Sequence, residues 1–132
     1  MKIGILGDIH GNKDALNAVL KAAKLCDVEQ LLITGDVVGY YPFAKEVMTL
    51  LSKWDMEIVR GNHEEMLHKS LTDKAYLERI TTKYGSGLLT TIAEFSLQEI
   101  NYLVNLPHPL LLNIEKKIII LSHGSPINVN EY

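Results

Sequence analysis

Asp8 and His10, Asp36, Asn62 and His63, and His123 stand in short motifs that could bind a divalent cation. The motifs are Gly7-Asp8-Ile9-His10-Gly11, Gly35-Asp36, Gly61-Asn62-His63-Glu64 and Ser122-His123-Gly124-Ser125-Pro126. Carboxylate, carboxamide and imidazole form a mixed oxygen and nitrogen donor set, which suits manganese, iron or zinc better than calcium. An imidazole beside such a centre can also transfer a proton. Taken singly, each motif has an ordinary structural reading, since Gly-Asp after a strand is common turn chemistry. Position is what joins them. Each follows directly on a short apolar run of the kind that forms a buried strand. In an open parallel sheet, ligands gather outside the carboxyl ends of the strands, and the bordering glycines let the backbone come close to a bound group.

The elements that must position these residues can be read from the periodicity. Lys2 to Leu6 is a predicted strand. A helix follows with Asn12 as N-cap, Asp14 in its first turn, and Leu16, Val19, Leu20 and Ala23 as its apolar face. Gln30 to Thr34 is the second strand, and Phe43, Val47, Leu50, Leu51 and Trp54 make the stripe of a second helix. Glu57 to Val59 begins a third strand. This alternation predicts βαβ units and a parallel sheet. Residues 64 to about 105 read as helical, with Thr72 as one cap and Ser96-Leu97-Gln98-Glu99 as a capping box. The apolar face of the helix after that box is Leu97, Ile100, Leu103 and Val104, with Pro107 and Pro109 beyond its end. Leu110 to Ile114 and Ile118 to Leu121, joined by Glu115-Lys116-Lys117, read as a β-hairpin.

The 132 residues suit one domain spanning 1–132, and their 47% hydrophobic content argues for an ordered chain. The aliphatic runs are too short to span a bilayer, and Gly7-Asp8 follows the first of them too soon for a signal peptide. A cytoplasmic protein is the expectation. The single cysteine, Cys26, is placed on the first helix and excludes a disulfide framework or a thiol metal site. A formal charge of −3 with interleaved signs excludes an extended nucleic-acid surface. A phosphate substrate stays compatible with that charge, because bound divalent cations would reverse the local field.

In kind and order, the motifs resemble those of the calcineurin-like metallophosphoesterase superfamily, and within it the small bacterial and archaeal phosphodiesterases. The family pattern runs Asp-x-His, Gly-Asp, Gly-Asn-His-Asp/Glu, His, then Gly-His-x-His. This chain is similar to the first four blocks. The resemblance implies an αββα sandwich, with an incomplete second sheet because the last block is absent from the sequence and the chain reads as a C-terminally shortened version. It implies two divalent metal ions, manganese first and iron, zinc or nickel after it. Asp8 and His10 would bind the first, Asp36 would bridge both, and Asn62 and His123 would bind the second. His63 would be the general acid.

The activity implied is hydrolysis of a small phosphoester, a diester foremost, by a metal-activated hydroxide. The competing expectations are a non-catalytic scaffold or regulatory subunit with the same fold, and a fragment that is inactive alone. Exposed apolar sheet surface would favour a homo-oligomer.

Overall fold

The computed structural model describes residues 1–131, and Tyr132 lies outside the described residues. The chain begins β1 (Ile3–Leu6), α1 (Lys13–Leu25), β2 (Gln30–Ile33), α2 (Ala44–Leu51) and β3 (Asp55–Ile58). The three strands form a parallel sheet in the order β1-β2-β3, with Leu6 opposite Ile33 and Ile33 opposite Ile58. Because the strand ends are in register, the loops that follow them leave the sheet together. The β1 loop carries Asp8 and His10, the β2 loop carries Asp36, and Asn62 opens the helix that follows β3.

Local chemistry explains the helices. The Asn12 side chain accepts the Ala15 N–H and caps α1, whose Leu16 and Leu20 are buried. Val19 lies outside that face and is 42% exposed. Ala44, Val47 and Leu51 anchor α2 in the core. The helical stretch after the sheet resolves into α3 (Asn62–Ser70), α4 (Lys74–Tyr84), α5 (Gly87–Glu94) and α6 (Leu97–Val104). Asp73 caps α4 in place of the expected Thr72, because its carboxylate reaches the Tyr76 N–H at 2.8 Å. At α6 the capping box is formed as read, with Ser96 and Glu99 each accepting the other's backbone N–H. Leu97 opens that helix but points away from the core, at 81% exposure, leaving Ile100, Leu103 and Val104 as the buried stripe.

The expected hairpin is present as β4 (Leu110–Ile114) and β5 (Lys117–Leu121), paired antiparallel. Its loop is shorter than the sequence reading, since Lys117 already pairs with Ile114. Glu115 and Lys116 both have positive φ, which gives a two-residue loop the right-handed twist of the strands it joins.

Layering follows from the side chains that each face buries. Leu31, Ile33 and Ile58 pack with the helices, whereas Leu32 and Val59 meet Leu121 and the inner hairpin residues Leu110, Leu112 and Ile119. Helices therefore cover one face of the parallel sheet and the two-stranded sheet covers the other. The outer face of the hairpin is apolar and open, with Leu111, Ile118 and Ile120 each more than half exposed. Among the described residues, no helix is long and apolar enough to cross a membrane.

Candidate metal centre

Asp36 lies at the middle of the strand-end cluster and is 3% exposed. Its carboxylate Oδ1 accepts the His63 backbone N–H at 2.8 Å, at the start of α3. The other oxygen, Oδ2, stands 3.6 Å from His10 Nε2 and 3.7 Å from His123 Nε2. One carboxylate thus faces two imidazoles, one from the β1 loop and one from beyond β5. Gly61 makes the approach possible: a Cβ there would fall 2.1 Å from Asp36 Oδ1.

Both imidazoles are held the same way. His10 Nδ1 donates to the Val38 carbonyl at 3.0 Å, and His123 Nδ1 donates to the Thr34 carbonyl at 2.8 Å. A carbonyl can only accept, so in the neutral ring each Nδ1 carries the proton and each Nε2 keeps its lone pair. Those lone pairs converge on Asp36, and Asn62 Oδ1 is 2.9 Å from His123 Nε2. Electron-rich atoms gathered this closely, each imidazole oriented by a backbone carbonyl, fit a cation better than they fit one another. Asp8 Oδ1 lies 3.9 Å from His123 Nδ1, with a side chain 68% exposed, and so forms the open side of the cluster.

Two groups of potential ligand atoms result, each lying within 4.8 Å of one another: His10, Asp36 and His63, and Asp8, Asp36 and His123. All six residues singled out in the sequence are gathered at this edge of the sheet. The resemblance pairs Asp8 with His10 and Asn62 with His123, and Asn62 Oδ1 does stand 2.9 Å from His123 Nε2. Asp36 is shared in both. Backbone strain concentrates here as well, for Asp8, His10 and Asp36 all have φ between 50° and 55°. Non-glycine residues rarely adopt this left-handed conformation, and they hold it where surrounding structure over-determines it.

His63 is 3% exposed and ringed by aromatics: its centroid is 4.5 Å from that of His10, 5.1 Å from Tyr40 and 5.3 Å from Tyr84. Its Nδ1 is buried with no hydrogen-bond partner among the described residues, against Gly39, where a Cβ would come within 2.1 Å. Burial pushes His63 down to about 4, with the neighbouring His10 and His123 adding to it. Burial also pushes Asp36 up to about 6; the His63 N–H and His123 oppose this, and Asp8 adds to it.

These two shifts have opposite consequences for the cation-free chain. Asp36 has a folded pKa above its ordinary 3.8, so its contribution to stability is full below about 4 and lost as pH rises to about 6. His63 has a folded pKa below its ordinary 6.5, so its contribution is full above 6.5 and lost as pH falls to about 4. Each effect is worth about 3 kcal/mol at full extent. In urea titrations without metal, the two slopes should oppose each other between these limits. A His63→Gln chain should expose the Asp36 slope, losing about 3 kcal/mol as pH rises through that window. Parallel curves for the two proteins would refute this account.

The backbone groups that support the site carry no readable signal in the sequence. The carbonyls of Thr34 and Val38 are backbone groups, invisible in any residue pattern. His108 appears in the sequence as a loop residue between prolines, yet its Nε2 donates to the His123 carbonyl at 2.8 Å. Arg60, a residue able to contact phosphate, instead pairs with Glu65 at 3.5 Å. Glu64 is fully buried beneath the cluster.

A protein of Methanocaldococcus jannaschii, the uncharacterized protein MJ0912, is 32% identical over 126 residues, covering 94% of this chain and 49% of its own. A symmetrical bis(5'-nucleosyl)-tetraphosphatase of Psychromonas ingrahamii is 40% identical over 63 residues, or 46% of this chain and 23% of its own. The crystal structure of a metallophosphoesterase from Sphaerobacter thermophilus superimposes on the whole chain with a TM-score of 0.71 at 27% identity, and the match covers 50% of that structure. The chain therefore spans about half the length, or less, of these relatives. The profile of the calcineurin-like phosphoesterases matches residues 1–132, and the chain belongs to that family.

Proposed function

We propose that this chain supplies the catalytic centre of a metal-dependent phosphoester hydrolase, acting on a phosphodiester or a nucleoside polyphosphate and holding two divalent cations, manganese foremost. The observation that carries the reading is that Asp36 belongs to both groups of convergent ligand atoms. Cations bound on either side of one carboxylate would acidify a water and neutralise charge on the phosphoryl oxygens during in-line displacement.

The chain's own residues have separable tasks. Asp36 would bridge, its orientation fixed by the His63 N–H. His10 and His123 would present Nε2, their rings already held by the Val38 and Thr34 carbonyls. Asn62 would add its side-chain oxygen beside His123. Asp8 would complete the set on the exposed side, where substrate must enter. His63 would give a proton to the departing alkoxide. Its low pKa means that it stands neutral near pH 7, so an anionic phosphoester must raise its basicity before it can act as an acid. The nucleoside polyphosphate class rests on the name of the Psychromonas relative.

The deciding experiment follows hydrolysis of bis(p-nitrophenyl) phosphate and of a dinucleoside tetraphosphate after chelation and then with added manganese. Turnover that disappears on chelation and returns with the cation supports the proposal. Folded protein that neither binds manganese nor turns over either compound would refute it for this chain.

A further inference from the structure

We propose that Glu64 is the positioning residue of the centre, a buried carboxylate that holds the Asp36 loop and the start of α3 at one fixed separation and thereby sets the ligand geometry. It rests on the two-cation reading above for its effect on metal, but the clamp itself is a property of the cation-free chain. Glu64 is fully buried and, among the described residues, belongs to neither group of convergent ligand atoms. Its Oε2 accepts the N–H of Gly61 at 2.8 Å and of Asp36 at 2.9 Å. Its Oε1 accepts the N–H of Val37 at 2.9 Å and of Val38 at 3.2 Å.

The Gly61 bond alone would be a helix cap. The other bonds reach across to the loop after β2, which no capping role requires. That loop then passes the constraint onward through its carbonyls. Asp36 O accepts the His10 backbone N–H at 2.8 Å, Val37 O accepts that of Gly11 at 2.8 Å, and Val38 O accepts His10 Nδ1. One carboxylate therefore joins the β2 loop to α3 directly and to the β1 loop through a single peptide layer. The segment it grips has unfavourable backbone geometry, with φ of 55° at Asp36. Four N–H donors on one buried carboxylate are what over-determines that conformation.

Glutamine in place of glutamate keeps the volume but turns one acceptor oxygen into an NH2 group that faces two N–H donors. Aspartate keeps both acceptors on a shorter arm. Two readouts separate the clamp from general packing. In cation-free wild type, the amides of Asp36, Val37, Val38 and Gly61 should exchange with solvent at least about a hundredfold more slowly than exposed loop amides. In Glu64→Gln those amides should exchange at least about tenfold faster while the α2 and α6 amides keep their rates. Manganese affinity by calorimetry should fall about ten- to a hundredfold in Glu64→Gln, the range for a group that orients metal ligands, and recover in part in Glu64→Asp.

Wild-type affinity in Glu64→Gln, with those amides as slow as before, would overturn the proposal. If Glu64→Gln does not fold, the wild-type exchange decides, and fast exchange at these amides would overturn it. Slow, clamped amides in a wild type that binds no manganese would instead fault the two-cation reading and leave the clamp in place.

Discussion

Asp36→Asn is expected to remove cation binding from both candidate sites together and to lower phosphoester turnover by about three orders of magnitude or more, on the order of 4 kcal/mol of transition-state stabilisation. The substitution nearly preserves shape, and the amide oxygen can still accept the His63 N–H that Asp36 Oδ1 now accepts. What is lost is the second carboxylate oxygen between His10 and His123, together with its charge. Any residue serving only one site should cost one cation; this one should cost two.

Stability should move in the opposite direction. Burial raises Asp36 to about 6, so its charge at pH 7 works against the cation-free fold. The variant should therefore unfold at the same urea concentration as wild type or a higher one when metal is absent. Loss of turnover combined with equal or greater stability marks a functional carboxylate rather than a structural one. Elemental analysis after manganese loading, paired with urea denaturation in chelator, reads both. A variant that keeps two cations, or that loses activity only because it unfolds, would end the bridging assignment.

His63→Gln carries the second large effect. Proton donation to a leaving group is worth about a hundred- to ten-thousandfold, so turnover of an alkyl diester should fall in that range. Turnover of bis(p-nitrophenyl) phosphate should fall much less, because p-nitrophenolate leaves without a proton. Manganese content should stay at the wild-type value. That last measurement is the sharp one, since His63 also lies within ligand distance of His10 and Asp36. A drop of one cation per chain, with both substrates slowed alike, would make His63 a ligand and move proton transfer elsewhere.

Local signals in the sequence carried much of the architecture. Helix starts were readable where the cap is a short polar side chain acting within its own turn, as at Asn12 and Ser96. They were misplaced where neighbours compete: Thr72 and Asp73 both qualify, and only the backbone path shows which reaches Tyr76. Burial was readable where an apolar residue sits mid-stripe, as with Val47 and Leu103. It failed at Val19 and Leu97, because a helix face has edges and only its neighbours define them.

The sequence by itself determined which residues could do chemistry and that they follow strands, because motif order and apolar runs are written along the chain. That was enough to bring Asp8, His10, Asp36, Asn62 and His63 to one place, since parallel strands in register release the segments that follow them at a common edge; His123 arrives from beyond the antiparallel β5, by the packing of the hairpin on the sheet. Only the tertiary structure decided how closely these residues approach Asp36, which nitrogen of each imidazole faces inward, and what holds them there. Those decisions belong to the carbonyls of Thr34 and Val38 and to the N–H groups gripped by Glu64. Every residue has the same backbone groups, so a sequence cannot mark the ones that matter; folding selects them by bringing distant segments within hydrogen-bond reach.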